Sequence, residues 1–482
     1  MAIRGYDEGW RVMGRRTGWW RGRTALAGAA ALLVAAAPTG QATAGQVTAA
    51  GTPDPYRFAT DAEPVDGATN VADAAPLTPG TTYKSSIRDN GKLYYRLRLD
   101  AVSNAYVSAT AVPEPGTKVV YSDGIKVSIR DPEGYKCFSG DADAARFGPT
   151  ESPRPLTAWA SRRTGTNGYS CKGAGTYSVL VERISGAESS PDDWDLELQY
   201  VTEPHLKKAA PTTAPEFSET VTPEALEGPA RTTRKGGTSF NEARSLGQGV
   251  WKDGIQAGQT LFYRVPVDWG QQIHATAELG PASGDDFLGN ALVMALYNPA
   301  RAFVDDAATR YDGRKNSAAL KPLPPVAYEN RYAVDDQVSG MRFAGWYYLA
   351  VHLGEKMTDK FGDGPFALTL RVRVSGAPVA APVYAGTAAP PDVFDVTAGD
   401  KDAAASGVAA TGGGERSDGN TAMKAVAVGG IGAGAGLVLW LAVWTAIARR
   451  RTATGAVPAP AADGTASQPG AASHEYGPPR AW

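Results

Sequence analysis

The chain has 482 residues, 43% hydrophobic and 20% charged, with a formal net charge of −2. Its length accommodates two to four structural units. The near-neutral charge argues against a nucleic-acid binder, which presents a basic face.

The first element is apolar. Arg15, Arg16, Arg21 and Arg23 precede the run Ala25–Ala37, and Pro38 and the small residues Ala42–Ala44 follow. A basic region, a short apolar core and a small-residue cleavage site make residues 1–44 a secretory signal peptide, cut after Ala44. Initiation at Met13 would give the basic region a more usual length. The TGWW after Arg15–Arg16 fits a twin-arginine signal poorly, so the general secretion route is expected. No cysteine lies near the cleavage site, which excludes a lipoprotein anchor.

Strands with a period of two come next. Leu93, Tyr95, Leu97 and Leu99 face one way, and Tyr94, Arg96 and Arg98 the other. Tyr177, Val179 and Val181 alternate likewise, as do Trp194, Leu196, Leu198 and Tyr200. Cys137 and Cys171 are the only cysteines. On the exported side, an even count favours a disulfide between them, adding roughly 3–4 kcal/mol in the chain-entropy picture. A metal pair or redox site would call for CxxC spacing or a nearby histidine, and neither is present.

The second half repeats the first. TYKSSIRDNGKLYYRLRLD (Thr82–Asp100) aligns without a gap with VWKDGIQAGQTLFYRVPVD (Val250–Asp268). SIRDPEG (Ser128–Gly134) matches ALYNPAR (Ala295–Arg301), and AGTYSVLV (Ala174–Val181) matches AGWYYLAV (Ala344–Val351). WDLELQY (Trp194–Tyr200) matches FALTLRV (Phe366–Val372). Four blocks in one order at nearly constant offset indicate an internal duplication. In the second copy the apolar sides are Leu261, Tyr263, Val265 and Val267, then Tyr347, Leu349, Val351 and Leu353, then Phe366, Leu368, Leu370 and Val372. One-sided strands joined by turns such as Asp131-Pro132 and Asn298-Pro299 predict antiparallel sheets packed over a core. Pro266 marks an edge or a bulge. The fold class expected is all-β, two tandem jelly-roll-like β-sandwiches at 52–202 and 238–376.

Two stretches rich in Pro, Thr and Ala are expected to be extended or disordered: a linker at 203–237 and a flexible stalk at 377–424. Ala425–Ala448 then runs 24 residues without a charge and is followed by Arg449, Arg450 and Arg451. It is long enough for a transmembrane helix, with the arginines placing the C-terminal side in the cytoplasm. Trp440 and Trp444 fall in the half nearer those arginines, and no LPxTG-type motif precedes the segment, so it reads as a permanent anchor. Gly430 and Gly434, like Gly432 and Gly436, have the spacing that permits helix dimerisation. The tail, 449–482, is too poor in apolar residues to fold alone.

The order of motifs resembles a known family. The Tyr94–Arg96 and Phe262–Arg264 strands, the Asp-Pro and Asn-Pro turns, the A-G-T/W-Y strands and the final alternating strands are similar to the bacterial pre-peptidase C-terminal (PPC) domain. The resemblance implies a jelly-roll-like β-sandwich of the kind carried by secreted proteins, often beside hydrolases. Asp123 and Asp285 or Asp286 lie where that family has an acidic signature, without matching it. The Ala/Gly-rich, Arg-biased composition suggests a high-GC actinobacterium.

Catalytic motifs are missing: there is no GxSxG, HExxH, phosphate-binding loop or Rossmann glycine pattern. His205 and His474 lie in the linker and the tail, and His274 and His352 occupy the polar register of strands, where a solvated surface role is expected. The acidic pairs Asp192–Asp193, Asp285–Asp286, Asp305–Asp306 and Asp335–Asp336 lack calcium-loop spacing and read as polar turns. Trp159, Trp194, Trp251, Trp269 and Trp346 read as core or interface residues; exposed in a row, they would form a glycan platform. The expectation is a non-catalytic cell-surface protein, single-pass type I. It has no cofactor, no metal and no catalytic residue, and its sandwiches bind or organise another exported protein. The alternative is binding of cell-wall or extracellular polysaccharide.

Overall fold

A computed structural model describes residues 53–137, 144–164, 171–217, 226–230, 232–284 and 286–410. The expected signal peptide, the expected membrane span with its glycine pairs, the tail and Asp285 lie outside the described residues. Among those described, no helix is long and apolar enough to cross a membrane.

The alternating stretches are strands. In the first copy these are β1 (Thr82–Ile87), β2 (Lys92–Leu99), β3 (Asn104–Val112), β4 (Gly124–Arg130), β5 (Leu156–Arg162), β6 (Gly175–Ile184) and β7 (Trp194–Glu203). One sheet has the order β1-β7-β3-β5, with Glu63–Pro64 outside β1. The other is β2-β6-β4, flanked by Ala75–Pro76 and Ala144–Arg146. In the second copy they are β8 (Gly249–Ile255), β9 (Thr260–Val267), β10 (Gln272–Leu279), β11 (Leu288–Tyr297), β12 (Phe303–Tyr311), β13 (Asn316–Ala319), β14 (Gly345–Leu353) and β15 (Phe366–Ser375). They form β8-β15-β10-β13 and β9-β14-β11-β12, edged by Thr232–Thr233 and Arg244–Ser245.

The duplication holds at the level of register. Leu97 pairs with Tyr177 as Val265 pairs with Tyr347. Tyr83 pairs with Leu198 as Trp251 pairs with Leu370. The repeated tyrosines do the same work: Tyr177 donates to the Gly173 carbonyl at 2.7 Å and Tyr347 to that of Phe343 at 2.8 Å. Both rings are buried in their cores, with the alternating residues named above. Pro266 lies beyond the short Arg244–Ser245 strand, so no ladder bond is lost on that side of β9. Cys137 and Cys171 form a disulfide.

The sandwiches do not stand apart. The outward face of β1-β7-β3-β5 packs on the outward face of β9-β14-β11-β12. Tyr106, Trp159 and Val201 meet Ala300, Ala302 and Phe343, while Tyr56 and Val112 meet Phe262, Tyr297 and Tyr348. The result is four layers of sheet with a third, inter-domain core. The two contacting sheets are not equivalent members of the repeat, which explains why outward positions diverge between copies.

The expected stalk requires correction over 377–410. Ala389 bridges to Thr202 and Tyr384 to Leu206, so the stalk's beginning pairs with the end of β7 and the start of the first linker. Phe394 stacks on Phe343 with centroids 4.1 Å apart. Helix Ala398–Ser406 opens with a capping box formed by Thr397 and Asp400, and Asp400 accepts the Trp346 indole N–H at 2.9 Å. Val393, Phe394 and Ala404 are buried. A few apolar anchors hold a segment whose overall composition suggests disorder.

Candidate binding cleft at the seam

Two carboxylates of β7 organise the seam. Glu197, on the outward register, is fully buried and pairs with Arg301. It also accepts from Tyr56 at 3.1 Å, the Ala59 N–H at 3.2 Å and Asn241 at 2.7 Å. Glu203 takes both guanidinium nitrogens of Arg331, at 2.9 and 2.7 Å, with Asn104 at 2.7 Å, Tyr106 at 2.9 Å and Tyr384 at 3.0 Å. Burial pushes the Glu203 carboxyl upward, but the Arg331 charge and the converging donors outweigh it and hold the group below its usual range. Buried pairs of this kind contribute little net stability when intact but cost about 3–5 kcal/mol when one partner is removed.

A histidine lies in the same seam. His352 of β14, expected at the solvated surface, is buried. Its Nε2 lies 3.0 Å from Ser152 Oγ of the first sandwich and its Nδ1 3.0 Å from Thr260 Oγ1. Ser152 also accepts the Glu355 N–H at 3.2 Å. Burial, with the Arg154 charge adding to it, holds the imidazole well below its ordinary value. Neither Ser152 nor His352 is exposed, so the pair fastens the two sandwiches together. His274 is likewise buried, corrected from a surface role. Both histidines do lie on the register opposite the core; at His352 the first sandwich covers it, and at His274 the Arg373 charge lies close by.

Beside this lock is a cavity of about 460 Å³. The N-terminal segment contributes Asp54 and Phe58, the first sandwich Glu114, Arg154 and Asp193, and the second Glu355 and Thr358. Its walls also hold Pro53, Pro55, Pro113, Pro115, Pro153 and Pro155. The volume lies within the usual range for ligand pockets, about 300–1,000 Å³. Arg154 points its guanidinium into the fold, donating to Thr150 Oγ1 at 2.7 Å and the Phe147 carbonyl at 2.9 Å. Burial brings its pKa down to about 10. A second, open recess lies beside the disulfide, where Asp131 is engaged by the Tyr135 N–H at 2.7 Å.

The other residues singled out from sequence have local partners. Trp194 and Trp269 are in the sandwich cores and Trp159 is in the seam. Arg264 covers the buried Trp346 ring at 4.1 Å and Arg234 the half-buried Trp251 at 4.9 Å. These rings present no open row. Asp123 clasps a loop through Val120, Gly186 and Ser189. Asp286 pairs with Lys360 at 3.0 Å, and Asp305 accepts from Lys321 and Gln337. Asp335 caps a short helix through the N–H groups of Gln337 and Val338.

No protein-family model matches the chain, and no curated protein does. Among solved structures, the CBM22-1–CBM22-2 tandem domain of Paenibacillus barcinonensis Xyn10C aligns at 10% identity, covering 59% of this chain and 82% of that one, with a TM-score of 0.17. The M60 catalytic domain with CBM51-1 and CBM51-2 of Clostridium perfringens ZmpB aligns at 10% identity over 60% of this chain and 34% of that one, with a TM-score of 0.15. The CUB1-EGF-CUB2 domain of human MASP-1/3 aligns at 7% identity over 61% and 99%, with a TM-score of 0.15. At these scores nothing about ligand or activity is drawn from the likeness.

Proposed function

We propose that this chain is a non-catalytic cell-surface protein whose PPC-like sandwiches bind another exported protein, with the seam cleft as the recognition site. One observation carries the reading: the cleft is built jointly by the N-terminal segment and both sandwiches, so it exists only in the fused body. In this reading residues 1–44 direct export, Ala425–Ala448 anchors the chain, and the tail is cytoplasmic. Polysaccharide binding through tryptophans is disfavoured, because the five rings of the exported region are buried or covered by arginines.

The test is site-specific photocrosslinking in cells producing the full chain. A benzophenone side chain at Thr358, in the cleft, is expected to capture a discrete exported protein. The same group at Lys252, on the outer face of β8, is expected to capture none. Equal labelling at both positions, or no product at Thr358, contradicts the proposal.

A further inference from the structure

The chemistry of the cleft narrows its ligand further, resting on the binding reading above. Its walls are rich in acceptors and poor in donors. The six lining prolines have no N–H, and the lining carboxylates of Asp54, Glu114, Asp193, Asp195 and Glu355 accept only. Several of the donors that are present are already engaged. Arg154 donates to Thr150 Oγ1 and to the carbonyls of Arg146, Phe147 and Ser152. The N–H groups of Gly258 and Gln259 reach the carbonyls of Leu353 and Gln256. Thr238 donates to Glu242 at 2.9 Å, and Thr260 shares a proton with His352.

The negative charge is only partly compensated, by Arg154 in the wall and by lysines beside it. Asp195 pairs with Lys84 at 3.3 Å, but Asp54, Glu114, Asp193 and Glu355 have no ion-pair partner among the described residues. Half-burial, with the Asp359 charge adding to it, pushes the Glu355 carboxyl up against the opposing charge of Lys356. The charges do not converge: among the described residues no three potential metal ligands come together. A single metal ion therefore does not fit, whereas cations spaced along an extended chain do. A stacked sugar fits poorly too, since Lys84 covers the Phe58 face at 4.3 Å.

We infer that the seam cleft binds an extended peptide segment of the partner through its lysine or arginine side chains. The ligand brings the donors that the walls lack, and the proline-rigid rim needs little ordering on binding. Long-range attraction by the rim acids makes capture sensitive to salt.

The test uses the full-length protein and a fluorescein-labelled ten-residue peptide of alternating arginine and alanine, with its glutamate counterpart as control. Anisotropy is expected to show saturable binding of the arginine peptide only, weakening steeply from about 0.05 to about 0.5 M salt. The exposed triple variant Asp54→Asn/Glu114→Gln/Asp193→Asn is expected to bind about tenfold more weakly. Glu227→Gln/Asp312→Asn/Asp402→Asn, which removes the same charge elsewhere, is expected to bind as the parent does. Melting temperatures verify that both variants fold. Equal binding of the two peptides, or equal loss in both triple variants, overturns the inference. If the Thr358 crosslink survives with full yield in the cleft variant, the binding reading stands and the cationic one falls.

Discussion

Arg162 occupies, inside the first sandwich, a place where a bound cation could serve. Its guanidinium donates to the carbonyls of Cys171, Ser103, Asp100, Lys172 and Gly173, closing the loop beside the disulfide. Arg183 does similar work, reaching the carbonyls of Asp192 and Ser190 while its plane lies 3.9 Å from the Trp194 ring. A planar fork with five donors suits this task and an ammonium does not. Arg162→Met is therefore expected to destabilise the protein by at least about 3 kcal/mol, since each buried carbonyl left unpaired costs about 1–3 kcal/mol. Arg162→Lys should recover less than half of that loss. Denaturant titration of the disulfide-intact chain measures both, and a lysine variant as stable as the parent would refute the role.

At the scale of elements, the alternation along the strands explains what the sequence made legible. The core-facing residues of β2, β6, β7, β9, β14 and β15 could be read directly, because period-two alternation records which side meets the sandwich interior. The same alternation left the roles of Glu197 and Glu203 illegible. On an outward register a carboxylate implies water, yet their arginine partners lie 104 and 128 residues away. No local pattern records such a distance. The available signal was in β3, NAYVSATAV, and β5, LTAWASR, which are nearly free of charge on both faces. The cleft was illegible, since its lining comes from several separate segments.

The histidine on β14 gives these elements a dependence on pH. Burial and Arg154 depress its pKa, so below about pH 6.5 the unfolded chain binds a proton that the folded chain refuses. Its contribution to stability is thus present above that pH and is lost as pH falls, by about 1.4 kcal/mol per pH unit for each proton. His274, lowered by burial and by Arg373, acts in the same direction. Glu203 loses its contribution only at lower pH, below about 4.3. Between about pH 7.5 and about pH 5, His352→Gln should flatten the stability slope by one proton's worth. Unchanged slopes in denaturation curves would show that His352 is not buried neutral.

For the whole molecule, duplication supplied two sandwiches, and divergence of one outward face on each converted them into a single four-layer body. The cleft depends on that union. The strap at 377–410 crosses the seam, bridging β7 at Thr202 and stacking on Phe343 of the second sandwich. Scanning calorimetry of the full chain tests this union most directly. The account predicts one cooperative transition for both sandwiches in the parent. It predicts that Arg331→Met, which strands Glu203 at a cost of about 3–5 kcal/mol, lowers that transition or divides it in two. Two separate transitions in the parent, unmoved by Arg331→Met, would contradict it.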